Sequence, residues 1–157
     1  MAIQPSREVL MPKGKQKRRP RLSWPEIEVG AWLGEFAGGP SGAIGQHVQP
    51  GPPCMVVEFT YLIVGAAVVS PISKFRWPAV VSFWVRTPLT PDGIEAGFMF
   101  KSENSPTLNI SFEVTRQQFT ETAWLFREKL MKDFHFTAGP GADQHWPLES
   151  WGAGFKL

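Results

Sequence analysis

The residues best suited to chemistry in this chain are basic and lie near its N-terminus. Lysine and arginine neutralise phosphates when a protein binds nucleic acid, and they also pair with carboxylates on an acidic protein surface. We predict this role for six side chains: Lys13, Lys15, Lys17, Arg18, Arg19 and Arg21. The partner stays open between DNA, RNA and an acidic protein, because the chain has no base-reading motif. The alternative is a solvated tail that aids solubility or localisation.

Charge divides the chain at this segment. Residues 1–21 hold seven basic residues and one acid, a net charge of +6, whereas the other 136 residues hold nine basic and thirteen acidic residues, a net charge of −4. Residues 1–22 are rich in Lys, Arg and Pro and lack apolar periodicity, so we predict a flexible arm. Met11 is an alternative start, and the six basic residues follow it in either case.

Patterns for metal binding and catalysis are weak. His47, His135 and His145 are scattered, and no His-x-x-x-His or Cys-x-x-Cys spacing exists. We therefore predict no metal, no cofactor and no catalytic residue, with Cys54 a small buried thiol at the start of a strand. The glycines near position 42 lack the Lys-Ser/Thr pair of a phosphate-binding loop, and we interpret residues 37–53 as a long surface loop.

Glu58 is the acidic residue with the strongest case for a special role, since it interrupts an apolar stretch. A buried carboxylate there would be costly unless paired, and Arg86 and Lys101 are the predicted partners. The alternative is that Glu58 faces the less buried side of the sheet. If it is buried, Glu58, Arg86 and one histidine could line a pocket between sheet and helix.

Alternating apolar residues predict most of the strands that would position these side chains. They indicate strands at 27–36, 79–86, 94–101 and 108–114, and the nearly continuous apolar stretch 55–69 indicates a further buried strand. The short connections between the last three strands favour an antiparallel meander. Residues 134–136 are a candidate for a last short strand.

One helix is well signalled after the meander. Thr115 and Gln118 have the spacing of a capping box, and an apolar stripe continues from Phe119 to Leu130. Glu128 and Lys132 have the i,i+4 spacing of a favourable ion pair. We expect the helix to end near Asp133.

These elements predict an α+β fold: a curved, mostly antiparallel sheet of five to six strands with one C-terminal helix packed on it. The domain should span residues 23–137, between the basic arm at 1–22 and an irregular Gly/Pro/Trp-rich extension at 138–157. The extension carries Trp146, Trp151 and Phe155, which we predict to anchor it on the parent sheet or on a protein partner.

Function is predicted at the level of a class. We expect a non-enzymatic binding or assembly protein within a larger complex, such as a phage particle or a ribonucleoprotein. The alternatives are a small enzyme or ligand-binding domain, and a self-associating structural subunit. The single cysteine and the lack of a signal peptide favour an intracellular protein, with a virion-associated one also open. The longest apolar stretch has about 14 residues, short of the roughly 20 of a membrane-spanning helix.

Overall fold

The computed structural model describes residues 24–85 and 96–157. Within them the chain forms mostly β-sheet with a single helix. In chain order the elements are β1 (Gly30–Gln49), β2 (Met55–Val69), β3 (Arg76–Val85), β4 (Gly97–Lys101), β5 (Leu108–Val114), α1 (Arg116–Arg127), β6 (Met131–Ala138) and β7 (His145–Phe155). The basic residues of the N-terminal arm and Arg86 lie outside the described residues.

The strands close into a barrel in the order β1-β2-β3-β5-β4-β7-β6. The predicted combination of sheet and one helix is confirmed, but the expected five or six strands are seven, and the sheet is mixed. Its parallel pair is β3 and β5, because β4 hydrogen-bonds to the far side of β5 and leaves the near side to β3. The meander prediction is therefore wrong at β4, although the β4–β5 connection is a short antiparallel turn.

The C-terminal segment is not irregular, which corrects the predicted extension. β7 pairs with β6 on one side and with β4 on the other, and thereby closes the barrel. Its glycines reflect close packing across the strands: a Cβ on Gly152 would lie 2.6 Å from Cε1 of His135. A side chain at that position would displace the exposed imidazole, which lies over the glycine in this structure.

Residues 37–49 are also strand rather than loop. β1 continues through them and pairs with β2 as far as Gln49 opposite Met55, with a register shift between Ala37 and Ser41. The pairing gives the backbone of this glycine-rich stretch its hydrogen-bond partners. The predicted long loop shrinks to the turn at residues 50–54.

The interior of the barrel is filled by large side chains. The fully buried ones include Trp32, Trp77, Phe83, Phe112, Phe136, Met99 and Leu108. In β3 and β5 the apolar side of the alternating pattern is the buried one, since Ala79, Val81, Phe83 and Val85 and likewise Leu108, Ile110, Phe112 and Val114 are buried. On β4 the more apolar side of the alternating pattern is not the buried one: Met99 and Lys101 are buried, whereas Phe100 is exposed. Apolar alternation locates a strand, but it cannot tell which face is covered when both faces carry large residues.

α1 covers one end of the barrel. The capping box is confirmed: Gln118 N donates to Oγ1 of Thr115 over 3.1 Å, and Thr115 N donates to Oε1 of Gln118 over 3.0 Å. The helix ends at Arg127 rather than near Asp133, because Lys129 adopts a positive φ of 57° and β6 begins at Met131. Lys132 is therefore on a strand, and the predicted helical pair with Glu128 does not form.

The strand register defines two ends of the barrel. At one end, Thr60 of β2 pairs with Val85 of β3, and Val85 pairs with Val114 of β5. Strands β1 and β2 project beyond this end. We call this the hairpin end, and α1 covers it. The opposite end, formed by residues 24–27 and the turns at 70–75, 102–107 and 139–144, is called the N-terminal end.

Candidate functional site

The most prominent surface feature is the projecting end of β1 and β2, residues 41–49 of β1 and 55–59 of β2, which we call the hairpin. β6 pairs with β1 only from Gly30 to Glu35, and β3 pairs with β2 only from Thr60 onward. Residues 41–44 pair with 60–63 of β2, which pair in turn with β3, so among the described residues only 45–49 and 55–59 form a two-stranded ribbon. A two-stranded ribbon is marginally stable alone in water, and each outer edge carries free N–H and C=O groups.

Large apolar side chains on the hairpin are exposed to solvent. Ile44, the most exposed of them, has 81% of its surface accessible, and the others are Val48, Met55 and Val56. Ile44, Val48 and Val56 share one face, because Val48 lies opposite Val56 and positions two apart in a strand face the same way. This face continues the side of β2 that lines the barrel interior. Glu58, paired with Arg116 of α1, lies on the same face between Thr60 and Val56, whereas Ile44, Val48 and Val56 are exposed.

No charged residue occurs from Ala37 to Val57. Exposed edge strands are normally protected by charges, prolines or bulges that prevent pairing with other chains. Here Pro40 lies at the register shift near the base, and the other prolines lie in the turn at 50–54. The paired stretch between them has no such protection. Sequence analysis missed this surface, although the lack of charge over these residues was a visible signal.

At the base of the hairpin, Glu58 forms an exposed ion pair. Nη2 of Arg116, in the first turn of α1, donates to Oε2 of Glu58 over 2.9 Å. The predicted partner Lys101 is at the other end of the barrel, where its Nζ donates to the carbonyl of Ser102. Glu58 therefore lies on an exposed part of β2 and is not the buried carboxylate that one interpretation required.

The space between α1 and the barrel is occupied by aromatic rings. The ring of Phe126 lies 5.0 Å from that of Phe36 and 6.1 Å from that of Phe83. Side chains thus fill the region where a pocket between sheet and helix was predicted.

The three aromatic residues predicted as protein anchors have different environments. Trp151 stacks on Phe112 at 4.9 Å and its Nε1 donates to the carbonyl of Glu113, so it belongs to the barrel wall. Trp146 is half-buried at the N-terminal end. Phe155 is exposed beside Trp124 of α1, and with Thr120, Glu121 and Leu125 these two line a shallow apolar depression.

The N-terminal end receives the chain that leads from the basic arm. Trp24 packs on Trp77 with ring centroids 6.2 Å apart. Residues 24–27 line a cleft together with Lys101, Glu103, Gln144 and Trp146. The basic arm is thus joined to the barrel at the end opposite the hairpin.

A carboxylate fixes the chain at this end. Oε1 of Glu28 accepts hydrogen bonds from the backbone N–H groups of Ile72 and Ser73, and Oε2 accepts one from Oγ of Ser73 over 2.6 Å. Hydrogen bonding to the side chain of Ser73, then to that of Ser70 and to the two backbone N–H groups, lowers the pKa of Glu28 from 4.5 to about 2. The arrangement clamps the segment before β1 onto the turn between β2 and β3, which is a structural role.

The histidines and the cysteine do not come together. His47 is on the hairpin, His135 is on the outside of β6, and His145 stacks on Phe98 at 5.0 Å. Within residues 24–85 and 96–157 no group of three His, Cys, Asp or Glu side chains could hold a metal ion. Cys54 is exposed in the hairpin turn rather than buried, because β2 begins one residue later and beyond the barrel wall.

No helix in the described part of the chain is long and apolar enough to cross a membrane. Comparison with known protein families, with curated proteins and with solved structures finds no significant match to this chain. What the protein does has to be inferred from its own residues.

Proposed function

We propose that this protein is a non-enzymatic binding and assembly protein, in which the basic arm contacts a polyanion, either nucleic acid or an acidic protein surface. The barrel is the scaffold that carries the arm at one end and a protein-binding hairpin at the other. The observation that carries the proposal is this polarity: residues 24–27 join the arm to the barrel at the end opposite the hairpin. A partner of the arm and a partner of the hairpin could therefore bind together.

Charge supports the assignment of the arm to polyanions. Its net charge of +6 adjoins a body of net charge −4, so the arm is the part of the chain that would attract phosphates. The filled barrel interior and the ring-filled space under α1 give little support to the alternative of an enzyme with a pocket between sheet and helix.

A salt titration of binding to duplex DNA and to single-stranded RNA tests the arm. If all six basic residues between positions 13 and 21 contact phosphates, the logarithm of the duplex affinity should fall with the logarithm of salt at a slope of about −5. Replacement of these six residues by glutamine should abolish the binding. The matched control, Lys129→Gln with Lys132→Gln, removes two exposed cations from the hairpin end and should leave it unchanged.

The same titration with polyglutamate separates the two kinds of partner. Salt-sensitive binding to polyglutamate without binding to nucleic acid would assign the arm to an acidic protein. Failure of the full chain to bind any of the three at low salt would overturn the polyanion proposal.

Self-association is the second candidate function, as a structural subunit. It is favoured by one observation, the exposed apolar side chains of the hairpin and the lack of charge along its edge strand, residues 41–49.

A further inference from the structure

We infer that the hairpin is a self-pairing edge: β1 of one copy adds antiparallel to β1 of a second copy, and the two hairpins form one four-stranded sheet. The inference deepens the self-association candidate of the proposed function and rests on it. It names the partner, a second copy of this chain, and the residues through which the two copies meet.

Over part of its length, one edge of β1 has no strand beside it in the described part of the chain. From Phe36 to Gln49, β1 has β2 on one side and no ladder partner among the described residues on the other. The stretch 41–49 continues for nine residues after the register shift at its base. An added strand would satisfy its outward N–H and C=O groups, and three or more strands are more stable than a lone hairpin.

Charge selects the kind of strand that fits. Residues 41–49 carry no charge, and the charged side chains beside them, Glu58 and Arg116, are paired with each other. The arm of this same chain is therefore a poor occupant, since its lysines and arginines would lose hydration without gaining an unpaired carboxylate. A second hairpin brings no charge to the edge, and no like charges meet when the two pair.

The sequence of the edge is also complementary to itself in shape. When two copies of residues 41–49 run antiparallel with Gly45 opposite Gly45, the whole stretch is paired. Larger side chains then lie opposite small or flexible ones. The pairs are Gly42 with Val48, Ala43 with His47 and Ile44 with Gln46.

Phe59 covers the centre of this arrangement. A Cβ on Gly45 would lie 2.6 Å from Cζ of Phe59, so the ring lies directly over the glycine from the neighbouring strand. In the paired state the two Phe59 rings would approach one another above the central glycines. Phe59 also stacks with Tyr61 at 6.2 Å, and Tyr61 stacks with Trp84 at 4.5 Å, so each ring is held in an aromatic row on the outer face.

The first test measures the mass of the full chain by sedimentation equilibrium over a range of concentrations. The wild type should form a dimer, and Ile44→Lys should weaken it at least tenfold, because it places two charges at the centre of the joined sheet. Ile72→Lys is the matched control, since Ile72 is 79% exposed, close to the value for Ile44, but lies at the other end of the barrel. The Ile72→Lys dimer should have the same dissociation constant as the wild-type dimer.

A disulfide test fixes the register. In a Cys54→Ser background, the double variant Ala43→Cys with His47→Cys should form disulfide-linked dimers under mild oxidation, because residues 43 and 47 of two copies are opposite each other. Each single-cysteine variant should cross-link much less, since like positions are then separated by four residues, about 13 Å along the strand.

Three outcomes would overturn the inference: a wild-type monomer at all concentrations, equal weakening by Ile44→Lys and Ile72→Lys, or equal cross-linking by the single- and double-cysteine variants. Circular dichroism of each variant confirms that it has folded. A monomeric protein whose arm still binds polyanions would contradict self-pairing through β1 and leave the polyanion proposal intact. A dimer that does not bind polyanions would contradict the polyanion proposal and leave self-pairing intact.

Discussion

At the N-terminal end of the barrel the chain is fixed by a carboxylate and its hydrogen bonds, whereas at the hairpin end two strands leave the barrel without a charged side chain from Ala37 to Val57. Glu28 binds two backbone N–H groups and a hydroxyl at the first end. At the second end Ile44 and Val48 face solvent.

The difference indicates which kind of partner each end can recruit. Long-range attraction requires charge, and the charge is concentrated in the arm joined to the N-terminal end. Pairing of strand edges requires free backbone groups and apolar side chains, and it is hindered by charge. The two proposals thus assign an electrostatic contact to one end of the barrel and a contact made by backbone hydrogen bonds and apolar burial to the other.

The largest effect is expected for the core that joins the two ends. Trp32 is fully buried, stacks on Phe136 at 5.8 Å and donates from Nε1 to the carbonyl of Glu28. Trp32→Ala should lower the free energy of unfolding by about 3–5 kcal/mol. Leu33→Ala, at the adjacent and 65% exposed position, should change it by less than about 1 kcal/mol. Urea unfolding of the two variants measures both changes, and similar losses of stability would contradict the difference in burial between Trp32 and Leu33.

An intermediate effect is expected for the helix at the hairpin end. Thr115→Ala removes the cap that accepts the N–H of Gln118, and should cost about 1 kcal/mol of stability. Thr120→Ala is the matched control, because the Thr120 hydroxyl is within the helix and donates back to the carbonyl of Arg116. Alanine has the higher helix propensity there, so this variant should be neutral or slightly stabilising. The reverse order in thermal unfolding would contradict the capping role.

The smallest effect is expected for the exposed carboxylate at the N-terminal end. Folding lowers the pKa of Glu28 from 4.5 to about 2, so its contribution to stability is complete above pH 4.5 and is lost as the pH falls towards 2. The urea midpoint of the wild type should therefore fall more steeply over this range than that of Glu28→Gln. Glu35→Gln, which removes an exposed carboxylate on the outside of β1, should retain the wild-type slope. Parallel curves for wild type and Glu28→Gln would refute the clamp.

Local patterns in the sequence predicted the local elements well. The capping box at Thr115, the single helix and the buried faces of β3 and β5 all depend on neighbours within a few residues. The order of strands around the barrel does not depend on such local neighbours. β4 lies beyond β5 rather than between β3 and β5, and only long-range pairing determines this choice. Connection lengths could exclude some arrangements, but they left more than one open.

The hairpin and β7 were missed for a shared reason. Glycine and proline at 38–45 and 138–154 have low strand propensity, so both stretches resemble loops when taken alone. Their strand structure comes from pairing with a neighbouring strand, as shown by Phe59 over Gly45 across the hairpin and by the His135 ring beside Gly152. The predicted anchors also depended on distant contacts, since Trp151 packs into the barrel wall while Phe155 stays exposed.

The turn of the hairpin provides a site for a fluorescent label. Cys54 is the only cysteine in the sequence, and it is exposed at the tip. A thiol-reactive fluorophore would therefore label the wild-type chain at this position alone. In the self-paired state Gln49 lies about 13 Å from the central glycine along the strand, and the two tips point in opposite directions. The two dyes would then be separated by about 30 Å or more. Energy transfer between donor- and acceptor-labelled copies could follow the joining of two hairpins in real time.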